Sequence, residues 1–172
     1  MINFNAMDIK FSDLVQYFKD IASKHKGIGQ KANEKHFYRF EIEEVLSGLK
    51  NINYPALILE SYRCDFTDDL GDNILKNRSG AFILLDHVND IGDFDQIHLV
   101  WDNLENIADD ILIRIKRDKR DSFNKTIKDF KIGSVEYSLL ANEQDRNYGI
   151  RCTFTISSPL TAARENTIWI TE

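Results

Sequence analysis

Pro55-Ala-Leu-Ile-Leu-Glu60 and Gly80-Ala-Phe-Ile-Leu-Leu85 are two short, nearly unbroken apolar runs bounded by turn-forming residues. Runs of this length read as strands buried on both faces. An amphipathic helix of about five turns follows, ending in Arg114-Ile-Lys-Arg117, its core stripe Leu104, Ile107, Ala108, Ile111, Leu112 and Ile115. Two further runs, Ile132 to Ala141 and Tyr148 to Ser157, flank the polar Asn142 to Asn147 and read as a hairpin with a long polar tip. In the second of them Thr153, Thr155 and Ser157 alternate with Cys152, Phe154 and Ile156, one wet face and one buried. Between Tyr54 and Pro159 the order is therefore strand, strand, long helix, strand, strand. That order predicts an α+β fold: a mostly antiparallel sheet of four or five strands against one long and one or two shorter helices.

Before Tyr54, Phe11, Leu14, Val15, Phe18, Ile21 and Ala22 recur at helical spacing, with Asp8 placed to cap the helix and Gly27 to stop it. His36 to Phe40 reads as a short aromatic strand, and Ile42, Val45, Leu46 and Leu49 fit a short helix. Ala56 to Phe66 reads as one continuous strand, Ser79 to Val88 as a second, and Asp121 to Lys131 as a polar loop. No Pro/Gly-rich linker divides the 172 residues, so 1–160 read as one domain and 161–172 as a C-terminal arm. The patch Ile168, Trp169 and Ile170 stands out in that polar arm and is expected to dock on something.

A net charge of −6 disfavours broad or sequence-specific nucleic-acid binding, since affinity for phosphates depends on neutralising them. No apolar stretch is long enough for a membrane helix, and Met1 to Asp8 lacks the pattern of a cleaved secretion signal. Cys64 and Cys152, far apart in sequence, read as two buried, reduced thiols.

Catalytic chemistry finds little purchase. The acidic turn from Asp65 lacks the glycine and glutamate of a calcium loop, having Leu70 and Lys76 at those positions. Gly27-Ile-Gly-Gln-Lys31 lacks the spacing of a phosphate cradle, and no two of the four histidines share a helical or strand face. His87 beside Asp86 reads as a hydrogen-bonded strand-end residue rather than an oriented base. Asp86 with Asp129-Phe-Lys131 imitates a metal-dependent nuclease only by spanning a helix and a loop. No catalytic, metal or cofactor residue is predicted.

Charge is distributed unevenly. Residues 65 to 95 hold eight acidic side chains, among them Asp65, Asp68, Asp69 and Asp72, against Lys76 and Arg78. Arg114, Lys116, Arg117, Lys119 and Arg120 crowd into seven residues. One reading is a helix C-terminus that favours cations; the other is a contact that joins copies head to tail.

A leading helix, Tyr54-Pro-Ala-Leu-Ile-Leu59, a strand with Phe82-Ile-Leu-Leu85, a long helix and the closing Tyr148-Gly-Ile-Arg-Cys-Thr-Phe-Thr-Ile156 together resemble the phage tail-terminator, or tail-completion, proteins. The resemblance spans about residues 10 to 158 and rests on pattern rather than invariant side chains. It implies a non-enzymatic, hexameric ring that caps the tail tube and joins it to the head connector, in the bacterial host cytoplasm and then the virion. The segment before Tyr54 and the arm after Pro159 depart from the family pattern. The runner-up reading is a small α+β binding or adaptor module, and a metal-dependent nuclease stands third.

Overall fold

The structure is a computed structural model that describes residues 9–29, 34–47, 51–68, 74–121, 123–124 and 126–160. Its elements run α1 (Phe11–Lys24), β1 (Phe37–Tyr38), α2 (Ile42–Ser47), β2 (Ala56–Leu59), β3 (Arg63–Thr67), β4 (Leu75–His87), α3 (Phe94–Asp118), β5 (Phe130–Asn142) and β6 (Asn147–Pro159). The α+β fold with its mostly antiparallel sheet and long packed helix is as the sequence predicts. The sheet has six strands in the order β1-β2-β4-β6-β5, with β3 beside β4. Only β1 and β2 run parallel.

The long strand β4 organises this sheet. β6 pairs along one edge from Leu75 to His87, while the other edge is shared, Phe82–Leu85 by β2 and Leu75–Ser79 by β3. Ala56 to Phe66 is thus two strands and not one. Glu60, Ser61 and Tyr62 interrupt it where the Glu60 carboxylate turns to Arg151 and the Ser61 N–H donates to Glu41.

Strand alternation sends Leu57, Leu59, Phe82, Leu84, Ile150, Cys152, Phe154 and Ile156 to one face, where α1 and α3 cover them. Phe18 of α1 is fully buried there, its ring 5.9 Å from Phe154 and 5.4 Å from Phe82. Burying a side chain of that size stabilises the fold by about 1.5–3 kcal/mol. The opposite face is covered only in part: Ala56, Ile58, Ile83 and Leu85 pack on Tyr38 and on Val45 of α2. Gly149 lets β6 approach β4, since a Cβ there would meet the Leu84 carbonyl oxygen at 2.6 Å.

Several boundaries differ from the sequence reading. The first helix begins after Lys10, whose N–H donates to Asp13; Asp8 lies outside the described residues. The long helix runs 25 residues, about seven turns. Asp93 caps it by accepting from the Gln96 N–H, and its added turns pack Ile97, Val100 and Trp101 against Val88 and Tyr148. The stretch from Asp121 is not merely polar, because Ile127 and Phe130 are fully buried and Phe130 already opens β5. The hairpin tip shrinks to Glu143–Arg146, since the ladder continues to Asn142 and Asn147.

Candidate functional site

The acidic and basic candidates lie at the same end of the sheet but on different edges. Asp65 sits on β3, exposed along its whole length, and accepts a 2.8 Å hydrogen bond from the Asn77 amide. Asp68 follows, also exposed. Asp69 and Asp72 fall outside the described residues, as do Ile168, Trp169 and Ile170 of the arm. The basic side chains cluster where α3 ends beside the start of β5. β3 and β5 stand three strand spacings apart, about 14 Å.

The basic cluster divides into internal and free members. The Arg114 guanidinium donates to Asp118 at 2.6 Å and lies 3.6 Å from Asp20; Arg117 reaches Asp118 at 3.4 Å. Tyr17 adds a 3.0 Å bond to the same carboxylate, tying α1 to α3. Burial alone would raise Asp118, but hydrogen bonds from Arg114, Tyr17 and Arg117 outweigh it and hold the carboxyl below its ordinary range. Burial, with the Asp118 charge beside it, pushes the Tyr17 hydroxyl well up. Lys119 donates to the Phe130 carbonyl at 2.6 Å. Lys116 and Arg120 are exposed and form no ion pair among the described residues.

Two outer edges of the sheet are open, that of β3 level with Leu75–Ser79 of β4 and that of β5, whose regular stretch lies level with Ala81–His87. No strand among the described residues pairs with the outer side of β5 or of β3. β5 has a register shift between Lys131 and Glu136, then an unbroken ladder from Glu136 to Asn142. Two exposed apolar side chains mark these edges, Phe66 on β3 and Leu139 on β5, at 58% and 57% exposure. Both project to the helix-bearing face, because Phe66 pairs with Lys76, which pairs with Ser158, and Leu139 pairs with Ile150. Cys64 shares that face and is exposed, which corrects the expectation of two buried thiols. Among the described residues no element covers β3, whereas Cys152 lies in the core, where burial pushes its thiol well above the usual range.

The nuclease imitation is not assembled. Asp86 pairs with Tyr148 and Phe130 with Ile156, eight residues apart on β6, or about 27 Å. Among the described residues no group of three His, Cys, Asp or Glu could hold a metal ion. His87 does hydrogen-bond at its strand end, its N–H donating to Asp86 at 2.8 Å, while its ring stacks on Tyr54.

One feature escapes the sequence reading. A cleft of about 450 Å³ opens between α3, the end of β4 and the segments before β1 and β2, lined by Glu34, His36, Tyr54, Asp86, Asn103 and Asp110. Together with Gly27 and Ile28, which also line it, these residues come from five stretches of chain, and no local period links them.

The chain matches no family model and no curated protein. Among the described residues no helix is long and apolar enough to cross a membrane.

Proposed function

We propose that the chain is a structural subunit of the tail-terminator kind, whose copies join head to tail into a ring. That ring caps the head-proximal end of a phage tail tube and meets the head connector. The observation that supports this reading is the polarity of the two open edges. β3 and β6 run one way along the sheet, β4 and β5 the other. Setting β5 of one copy beside β3 of the next therefore continues the antiparallel alternation without inverting either subunit. The two edges are different surfaces, so the contact is heterologous, and such contacts close into rings when the rotation permits. Phe66 and Leu139 then lie on the same face of the shared sheet, and bringing them together slides one copy eight residues, about 27 Å, along the strand direction.

Light scattering and negative-stain microscopy test the proposal. The full chain is expected to form closed particles of uniform mass. Leu139→Lys places a charge on the open edge, a substitution that opposes edge pairing. It is expected to lower the particle mass while shifting the melting temperature by no more than about 2 °C, as for a surface substitution. A wild-type chain that stays monomeric at high concentration would falsify the ring.

A further inference from the structure

The sheet ends at β1, a strand of two residues whose outer side pairs with no described strand. The Leu57 N–H donates to the His36 carbonyl, so strand alternation turns the Phe37 N–H and C=O away from β2, to the outer side. Between this edge and α1 lies an open groove of about 690 Å³. Val15 and Ala22 of α1, with Phe37 and Phe40, give it an apolar floor. Its rim is basic: Lys19, Lys35 and Arg39 are exposed and form no ion pair among the described residues. Lys35 lies over the Tyr38 ring at 4.7 Å and Arg39 over the Phe11 ring at 4.9 Å. The one carboxylate among the described lining residues, Glu34, stands 3.5 Å from the His36 ring. A chain of net charge −6 thus carries an apolar groove with a positive rim.

One segment outside the described residues fits both properties. Thr167-Ile-Trp-Ile-Thr171 is built of β-branched and aromatic residues, a strand composition, and Glu165 and Glu172 flank it. Residues 30–33, between Gly29 and Glu34 in sequence, are Gln-Lys-Ala-Asn and bring no large apolar side chain to the floor. The segment's own groove is out of its reach. Leu160 is held beside Ile74, nine residues along β4 from Ile83, whose partner Ile58 pairs with Tyr38. That is about 30 Å along the strands, and the outer side of β1 lies four strand spacings from β6, about 19 Å. Together these make about 36 Å, whereas the nine residues from Leu160 to Trp169 span at most about 32 Å.

We propose that residues 167–171 of a second copy lie along the outer edge of β1, in the groove under α1. The Phe37 N–H and C=O bond to the added backbone, the apolar side chains of the segment meet Val15, Ala22, Phe37 and Phe40, and Glu165 and Glu172 face the basic rim. This deepens the proposed assembly by naming a second contact between copies, and it does not rest on the pairing of β3 with β5.

Photocrosslinking of the full chain tests it. Trp169→p-benzoylphenylalanine places a photoreactive ring on the segment, and an equal mixture of ordinary and ¹⁵N-labelled chains tells contacts between copies from contacts within one. Crosslinks between light and heavy chains, mapped to 15–23 or 37–40, are expected. Lys19→Glu with Lys35→Glu, both on the exposed rim, is expected to lower their yield about tenfold, the loss of two surface ion pairs. Crosslinks confined to one chain, crosslinks that map elsewhere, or an undiminished yield in the rim variant overturn the proposal. So does the same photoreactive group at Phe4, on the other apolar segment outside the described residues, if it reaches the groove in place of Trp169. Crosslinks that persist in Leu139→Lys uphold the arm contact even where the edge contact fails, so the two readings fall separately.

Discussion

Glu60 is 5% exposed in the middle of the sheet, a place where a lone carboxylate would be strongly disfavoured. Arg151 on β6 answers it with two parallel hydrogen bonds, Nε to Oε1 and Nη2 to Oε2, each 2.7 Å. This forked geometry is the strongest form of the pairing. It also marks where β2 ends, so one residue pair governs both local stability and the path of the chain into β3. The pair need not stabilise the fold relative to two apolar residues, because desolvation opposes the attraction. Breaking it is different. Arg151→Leu leaves the Glu60 charge buried, and we expect a loss of about 3 kcal/mol in urea unfolding. Adding Glu60→Leu should recover part of that loss. A single variant as stable as the wild type would show that water already satisfies Glu60.

Elements whose pattern is local could be read from the sequence, and elements placed by distant partners could not. Leu14, Phe18, Ile21 and Ala22 form α1's buried stripe, and Leu104, Ile107, Ala108, Ile111 and Ile115 that of α3, because a helix buries neighbours on its own turn spacing. β6 alternates for the same reason. Cys64 was illegible: Arg63 to Phe66 continues an alternating pattern, and it is exposed because no element among the described residues packs over β3. The site divides along the same line. The basic cluster is plain in sequence, yet Asp118, Asp20 and Phe130 occupy three of its five members. The Asp86 cleft draws on segments up to 83 residues apart (Gly27 to Asp110), which no window of sequence brings together. Cys64 also provides a reporter of the β3 edge. In the monomer a thiol reagent should modify Cys64 alone, with Cys152 reacting only on unfolding. If β3 pairs with a neighbour's β5, Cys64 labelling should slow as protein concentration rises through the assembly range. A rate independent of concentration would place the contact elsewhere.

At the scale of the molecule, the two helix-bearing and helix-poor faces of the sheet have different tasks. α1 and α3 close a core in which Phe18, Phe82, Phe130 and Phe154 touch one another, while much of the opposite face remains a polar field of Ser79, Thr153, Thr155 and Ser157. The sheet's ladder is complete by Pro159, and the Leu160 N–H adds a last bond to the Ile74 carbonyl at 2.8 Å. Stability and assembly should therefore separate on truncation. Ending the chain after Leu160 is expected to leave the melting temperature within about 2 °C of the full chain, the range for changes outside a core. If the Ile168, Trp169 and Ile170 patch, which lies outside the described residues, docks on a neighbouring copy, particle mass should fall. Light scattering on both chains at equal concentration decides it. Equal masses would remove the arm from assembly and leave the β3 and β5 edges to hold the ring alone, whereas a large drop in melting temperature would make the arm part of its own subunit's fold.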